Sequence, residues 1–194
     1  MKMLKIALLP LALGTAVLSH AQTTTTTSSF ESSNFERMDI NSLTARAAQG
    51  NHHAQFFLAK RLQKGEGVAK DPSRAAYWYT RAAEQNASPA QLNLGFMYLR
   101  GEGVKANMNE ARKWLEKAAH LGDNRASYAL AVLDEREKRL VDAYKWYDLS
   151  SRDGMLDQNI KNKAQTKIGQ LALNLSSKDI EKAKTSANNW FQNR

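Results

Sequence analysis

The sequence predicts an all-α solenoid built from stacked helix pairs, and three observations carry that expectation. Gly65-Glu66-Gly67-Val68 recurs as Gly101-Glu102-Gly103-Val104, thirty-six residues later. Its surroundings move by the same amount: Ala54-Gln55 to Ala90-Gln91, Trp78 to Trp114, and Ala82-Ala83 to Ala118-Ala119. Apolar residues between the glycine turns follow helical spacing, as in Ala54, Leu58, Ala59 and Leu62. A unit of this length cannot bury its apolar face alone, so units stack and present an extended surface on which something else is held.

Residues 1–21 read as an export signal. Lys2 and Lys5 precede an apolar run over residues 6–18, and Ser19-His20-Ala21 offers the small residues that a signal peptidase accepts. A spanning helix needs about 20 apolar residues, so cleavage after Ala21 and no stable membrane anchor are expected. Residues 22–38, rich in threonine and serine, are expected to be a flexible linker.

The solenoid is expected over residues 39–194. Ile40, Leu43, Ala47 and Ala48 form a short stripe ending at Gly50, a lone second helix that opens the stack. The first unit, about 51–86, has its first helix ending at Gly65 and its second capped by Asp71 with Pro72 at the first helical position. Ala75, Ala76, Trp78, Tyr79, Ala82 and Ala83 then set large rings beside small alanines. The second unit, about 87–122, repeats this with Asn107 as cap and Ala111, Trp114, Leu115, Ala118 and Ala119 as stripe.

In the third unit, about 123–154, Trp146 follows Trp114 by only thirty-two residues, and the glycine turn is gone. In its place stands Asp134-Glu135-Arg136-Glu137-Lys138-Arg139. Either the first helix runs on, or the turn is tighter and its charges form a solvated face with weak pairing. Ala143, Tyr144, Trp146 and Tyr147 restore the second helix, expected to close at Gly154. Residues 155–194 are expected to be capping helices, the last capped by Ser176 or Ser177.

The series Ala90-Gln91, Leu94-Gly95, Tyr98, Gly101-Glu102-Gly103-Val104, Ala111, Trp114, Lys117-Ala118-Ala119 and Gly122 closely resembles the Sel1-like repeat, a relative of the tetratricopeptide repeat. The resemblance implies a right-handed superhelix of Sel1-like helix pairs, an adaptor type of function and an exported bacterial protein. Asn86 stands where the pattern has Gly122 and can still take the left-handed conformation. Cysteine-rich exported proteins of this type have been linked to binding or hydrolysing β-lactams, but this chain has no cysteine.

The absence of cysteine excludes a lipoprotein anchor and disulfides, so an exported fold must stand on packing alone. The formal net charge is +9, its excess scattered along the chain, which favours anionic partners without specifying one. Export and the lack of a basic-aromatic groove argue against nucleic acid. No Gly-x-Ser-x-Gly, His-Glu-x-x-His or phosphate-loop motif is present, so the expectation is no enzyme, no catalytic residues and no cofactor. His52 and His53, adjacent on a helix, point about 100° apart and cannot share a metal without further ligands. His120, in the last turn of a helix, reads as a structural residue facing the dipole.

Binding residues are sought where the repeat does not require an apolar side chain. Phe57, Lys60 and Arg61 of the first unit correspond to Asn93, Phe96 and Met97 of the second. In the repeat family these first helices line the concave surface, and an exposed aromatic among Lys, Arg and Asn has the composition of an interface anchor. Phe57, Lys60, Arg61, Asn93 and Phe96 are therefore the expected contacts; the competing reading is that both phenylalanines merely widen the core. The function expected is a monomeric, periplasmic or secreted scaffold for another protein. Its partner is expected to be an envelope enzyme or effector, bound by an inhibitor, an immunity-type protein or an adaptor. The rival is an enzyme or binding protein acting on β-lactams or peptidoglycan fragments.

Overall fold

The computed structural model describes residues 34–152 and 157–193. The export signal, most of the linker and Gly154 lie outside them. The chain divides into residues 1–37 and 38–194. In the first of these, residues 34–37 are helical. The second is a succession of helices: α1 (Ile40–Ala48), α2 (His52–Lys64), α3 (Pro72–Glu84), α4 (Ser88–Arg100), α5 (Met108–His120), α6 (Asn124–Arg136), α7 (Leu140–Arg152), α8 (Gln158–Ala172) and α9 (Ser177–Gln192). Each packs on the next as far as α8, while α9 returns onto α7. This is the all-α solenoid: α2–α3, α4–α5 and α6–α7 are its helix pairs, with α1 before them.

Local chemistry sets the helix starts. The side chains of Asp39, Asn51, Asp71, Asn107, Asp123, Asp157 and Ser176 each accept a backbone N–H of the first turn that has no partner within the helix. Pro72 occupies the first turn of α3, where its missing N–H costs nothing. Between units the chain reverses through Asn86 (φ 62) and Gly122 (φ 81), so the asparagine takes the left-handed conformation of the glycine it replaces.

Small residues let the helices approach. A Cβ on Gly95 would lie 2.8 Å from Leu115 Cγ, so α4 and α5 meet there without room for a methyl group. Leu43, Leu58, Leu62, Leu94, Leu115 and Leu130 are almost completely buried, each contributing about 1.5–3 kcal/mol against the chain entropy. Trp114 and Trp146 are 7% and 3% exposed, as core wedges are expected to be, while Trp78 is only half-buried. Two repeated glutamines link successive units. Gln55 Nε2 donates to Ala47 O at 3.1 Å and Gln91 Nε2 to Ala83 O at 3.0 Å, satisfying carbonyls at the ends of α1 and α3.

The third unit corrects one expectation. Its first helix does not run on, and α6 and α7 join through a tight turn in which Lys138 has φ 61. The charged run is not a uniformly solvated face. Asp134 occupies the place of Leu62 and Tyr98, is 2% exposed, and is held by Arg112 of α5 and by Arg139. Weak surface pairing does not describe it, because a buried carboxylate without cationic partners would be strongly destabilising.

Candidate functional site

The first helices of the pairs, with α8 beyond them, form one side of the stack, and a groove of about 670 Å³ runs along it. From α4 come Leu92, Asn93, Phe96, Leu99 and Arg100. From α6 come Arg125, Tyr128, Ala129, Val132, Leu133 and Arg136, a stripe at helical spacing along the whole helix. Ile160 of α8 closes the far wall. The repeat dictates much of this lining: Leu92 and Tyr128, Asn93 and Ala129, Phe96 and Val132, and Arg100 and Arg136 are equivalent residues one repeat apart.

The floor is apolar and the charges at its edge share one sign. Arg100 ends α4 and lies 5.6 Å from the centre of the Phe96 ring. Arg136 ends α6 and is exposed. Arg125, near the start of α6, is gripped by the fully buried Asp123: Nε donates to Oδ1 at 2.9 Å and an Nη to Oδ2 at 2.7 Å. That hydrogen bond raises the pKa of the guanidinium, with burial opposing it. The described lining residues include no Ser, Thr, Cys, His, Asp, Glu or Lys; Tyr128 supplies the one hydroxyl and Asn93 the one amide.

Of the five expected contacts, Asn93 and Phe96 line the groove. Phe57, Lys60 and Arg61 do not appear in its lining. Phe57 is 9% exposed, with the Phe56 ring set edge-on at 5.2 Å, so it is not the exposed aromatic expected. Lys60 Nζ stands 5.7 Å from the Phe57 ring, and Lys60 and Arg61 are half-buried. Arg61's equivalents, Met97 and Leu133, are 0% and 4% exposed, which shows that this helical position turns toward the core. Sequence reasoning missed the other ten lining residues. The thirty-six-residue shift carried into the third unit is the signal that finds three of them, Ala129 from Asn93, Val132 from Phe96 and Leu133 from Arg61; Leu99 and Ile160 have no such mark.

The described histidines lie elsewhere. The His52 and His53 rings are 4.1 Å apart, and burial, then the neighbouring imidazole, lowers the pKa of His52. His120 stacks on Trp190 at 3.9 Å. Among the described residues, no group of three His, Cys, Asp or Glu is placed to hold a metal ion. No helix among them is long and apolar enough to cross a membrane.

Stacked helix pairs around an apolar groove define the class, an α-solenoid scaffold, and comparison with known proteins gives the family. The Sel1 repeat profile matches residues 52–86 and 88–123. The chain is similar to a Sel1 repeat protein from Oxalobacter formigenes, with 32% identity and a TM-score of 0.62 over 73% of this chain and 58% of that one. It is also similar to a protective antigen of uropathogenic Escherichia coli displaying an SLR fold, with 24% identity and a TM-score of 0.49 over 79% and 40% of the two chains. A third similarity is to Helicobacter pylori cysteine rich protein B, with 31% identity and a TM-score of 0.43 over 45% and 65%. The chain thus spans less than two thirds of each of these structures. No curated protein matches it. The chain belongs to the Sel1-like repeat family. Sel1 repeats generally mediate protein–protein interactions, and proteins built from them are typically non-enzymatic scaffolds.

Proposed function

We propose that this chain is a non-enzymatic scaffold that holds another protein in the groove formed by α4, α6 and α8. The observation that carries the reading is the lining itself: a continuous apolar floor that includes the rings of Phe96 and Tyr128, with arginines at its edge. Aromatic and arginine side chains around an apolar centre are the residues that most often dominate an interface.

The finer reading places the scaffold in the cell envelope, where it serves as an inhibitor, an immunity-type protein or an adaptor for an envelope enzyme. Lys2, Lys5, the apolar run of residues 6–18 and Ser19-His20-Ala21 support export, and the lack of cysteine fits a protein that is neither lipidated nor disulfide-bonded. Cell fractionation with N-terminal sequencing tests export, and a cytosolic chain that retains Lys2 and Lys5 would overturn it. Cross-linking in the fraction that holds the chain tests the groove. An envelope enzyme joined to the natural chain and lost from Ala129→Arg, with helicity and Tm unchanged, supports the reading. Capture indifferent to Ala129→Arg moves the contact to another surface.

A further inference from the structure

The charge along the groove is lopsided. Arg100 and Arg136 are the last residues of α4 and α6, one repeat apart. The equivalent Lys64 has a carboxylate partner, Glu66, at 3.3 Å, whereas Arg100 and Arg136 have none among the described residues. At the other end, Arg125 is neutralised by Asp123. Each helix C-terminus contributes about half a negative charge, and among the groove's lining residues the two guanidiniums outweigh it: Glu102, Glu135 and Glu137 stand nearby but do not line the groove, and Glu135 and Glu137 are paired with Lys167 and Arg139.

The groove's length sets the size of segment it can take. Arg125 to Arg136 is eleven residues of α6, about 16 Å. An extended chain covers that length with about five residues. Asn93, the one amide in the lining, already hydrogen-bonds Tyr79, but its two N–H groups and two oxygen lone pairs leave capacity for such a chain's backbone.

Resting on the scaffold reading, we infer that the groove takes an extended segment of a partner protein, apolar in its middle and carrying carboxylates at the end that meets Arg100 and Arg136. Guanidinium groups bind carboxylates through paired, charge-assisted hydrogen bonds, and an unpaired arginine over an apolar floor gains most from such a guest. The segment is thereby given a direction: its acidic end lies at the C-terminal ends of α4 and α6.

Titrating the isotopically labelled full chain with a short peptide of two glutamates followed by leucine, phenylalanine and leucine tests this by NMR. The same peptide with lysines for glutamates is the control. The amides of Ala129, Val132 and Arg136 are expected to shift with the glutamate peptide, which binds at least about tenfold more tightly than the lysine one. Arg100→Glu with Arg136→Glu is expected to reverse that order at unchanged helicity. Equal binding of both peptides, shifts confined to other surfaces, or no shifts at all would overturn the inference. If the peptides fail while cross-linking remains sensitive to Ala129→Arg, the groove holds a folded surface and the scaffold reading stands. Loss of both removes that reading as well.

Discussion

Between its helices the second unit has seven residues, 101–107, and the third has three, 137–139. The backbone nevertheless closes in the same way. Asn107 N–H donates to Tyr98 O at 3.0 Å, and Arg139 N–H donates to Asp134 O at 2.9 Å, from equivalent positions to equivalent positions. The first unit has the same bond, Asp71 N–H to Leu62 O at 2.8 Å. The four missing residues therefore come out of the loop, not the helices. What differs is how each turn is held. In the second unit the turn packs against the preceding unit through bare backbone; in the third, a buried carboxylate draws in arginines from two directions.

Breaking the glycine turn is expected to have the largest effect. A Cβ on Gly103 would sit 2.1 Å from Pro72 O, and Gly103 has φ 69. Gly67 has nearly the same φ, 70, but nothing lies within 4 Å of the added carbon. Gly67→Ala therefore meets only the left-handed penalty, about 1–2 kcal/mol. Gly103→Ala must also displace the start of α3, for a total of about 2–5 kcal/mol. Urea denaturation of the two variants measures the difference, and equal losses would show that the Gly103 turn is not a joint between units.

This contrast also separates what could be read in the sequence from what could not. Glycine turns, the caps Asp71, Asn107 and Ser176, and the Trp114 and Trp146 wedges depend on residues near one another or on the repeat shift, so they were legible. Asp134 was not, because its burial depends on Arg112, twenty-two residues earlier on another helix. Of the groove, Asn93 and Phe96 were legible as positions the repeat leaves free. Phe57 looked the same by spacing, yet its surroundings bury it. Ile160 stands on an atypical terminal helix, where the repeat carries no information about the facing residue.

The third unit's turn is open to a two-way test. Asp134→Ala removes the acceptor shared by Arg112 and Arg139, whose side chains are 21% and 42% exposed and can return to water. The cost is therefore expected below that of stranding a buried charge, about 1–3 kcal/mol. Asp134→Leu restores the residue type of Leu62 and is expected to cost less than the alanine, since an apolar side chain refills the space. If Leu is the worse of the two by denaturation, the carboxylate directs the turn's conformation as well as stabilising it. Lys138→Gly, relieving φ 61 in a residue that bears a Cβ, is expected to stabilise by about 0.5–1 kcal/mol. A loss there would mean that the lysine side chain itself holds the turn.

The smallest effect concerns pH and a position where the two units diverge. Leu99 faces the groove in the second unit, whereas its equivalent in the third is Glu135. Tyr147 donates to Glu135 Oε2 at 2.6 Å and Lys167 Nζ to Oε1 at 2.9 Å, tying α6 to α7 and α8. Burial alone would raise the Glu135 pKa, but those hydrogen bonds and the charges of Lys167 and Lys138 outweigh it and leave the pKa lowered. A carboxylate with a depressed folded pKa stabilises the fold above its unfolded value, about 4.3, and that contribution is lost as the pH falls through the folded pKa. At neutral pH, Glu135→Gln is therefore expected to melt below the natural chain. As the pH is taken toward about 3, the gap narrows because the natural side chain also becomes neutral. A gap that stays constant or widens on acidification would show that Glu135 acts through its shape and neutral hydrogen bonds alone.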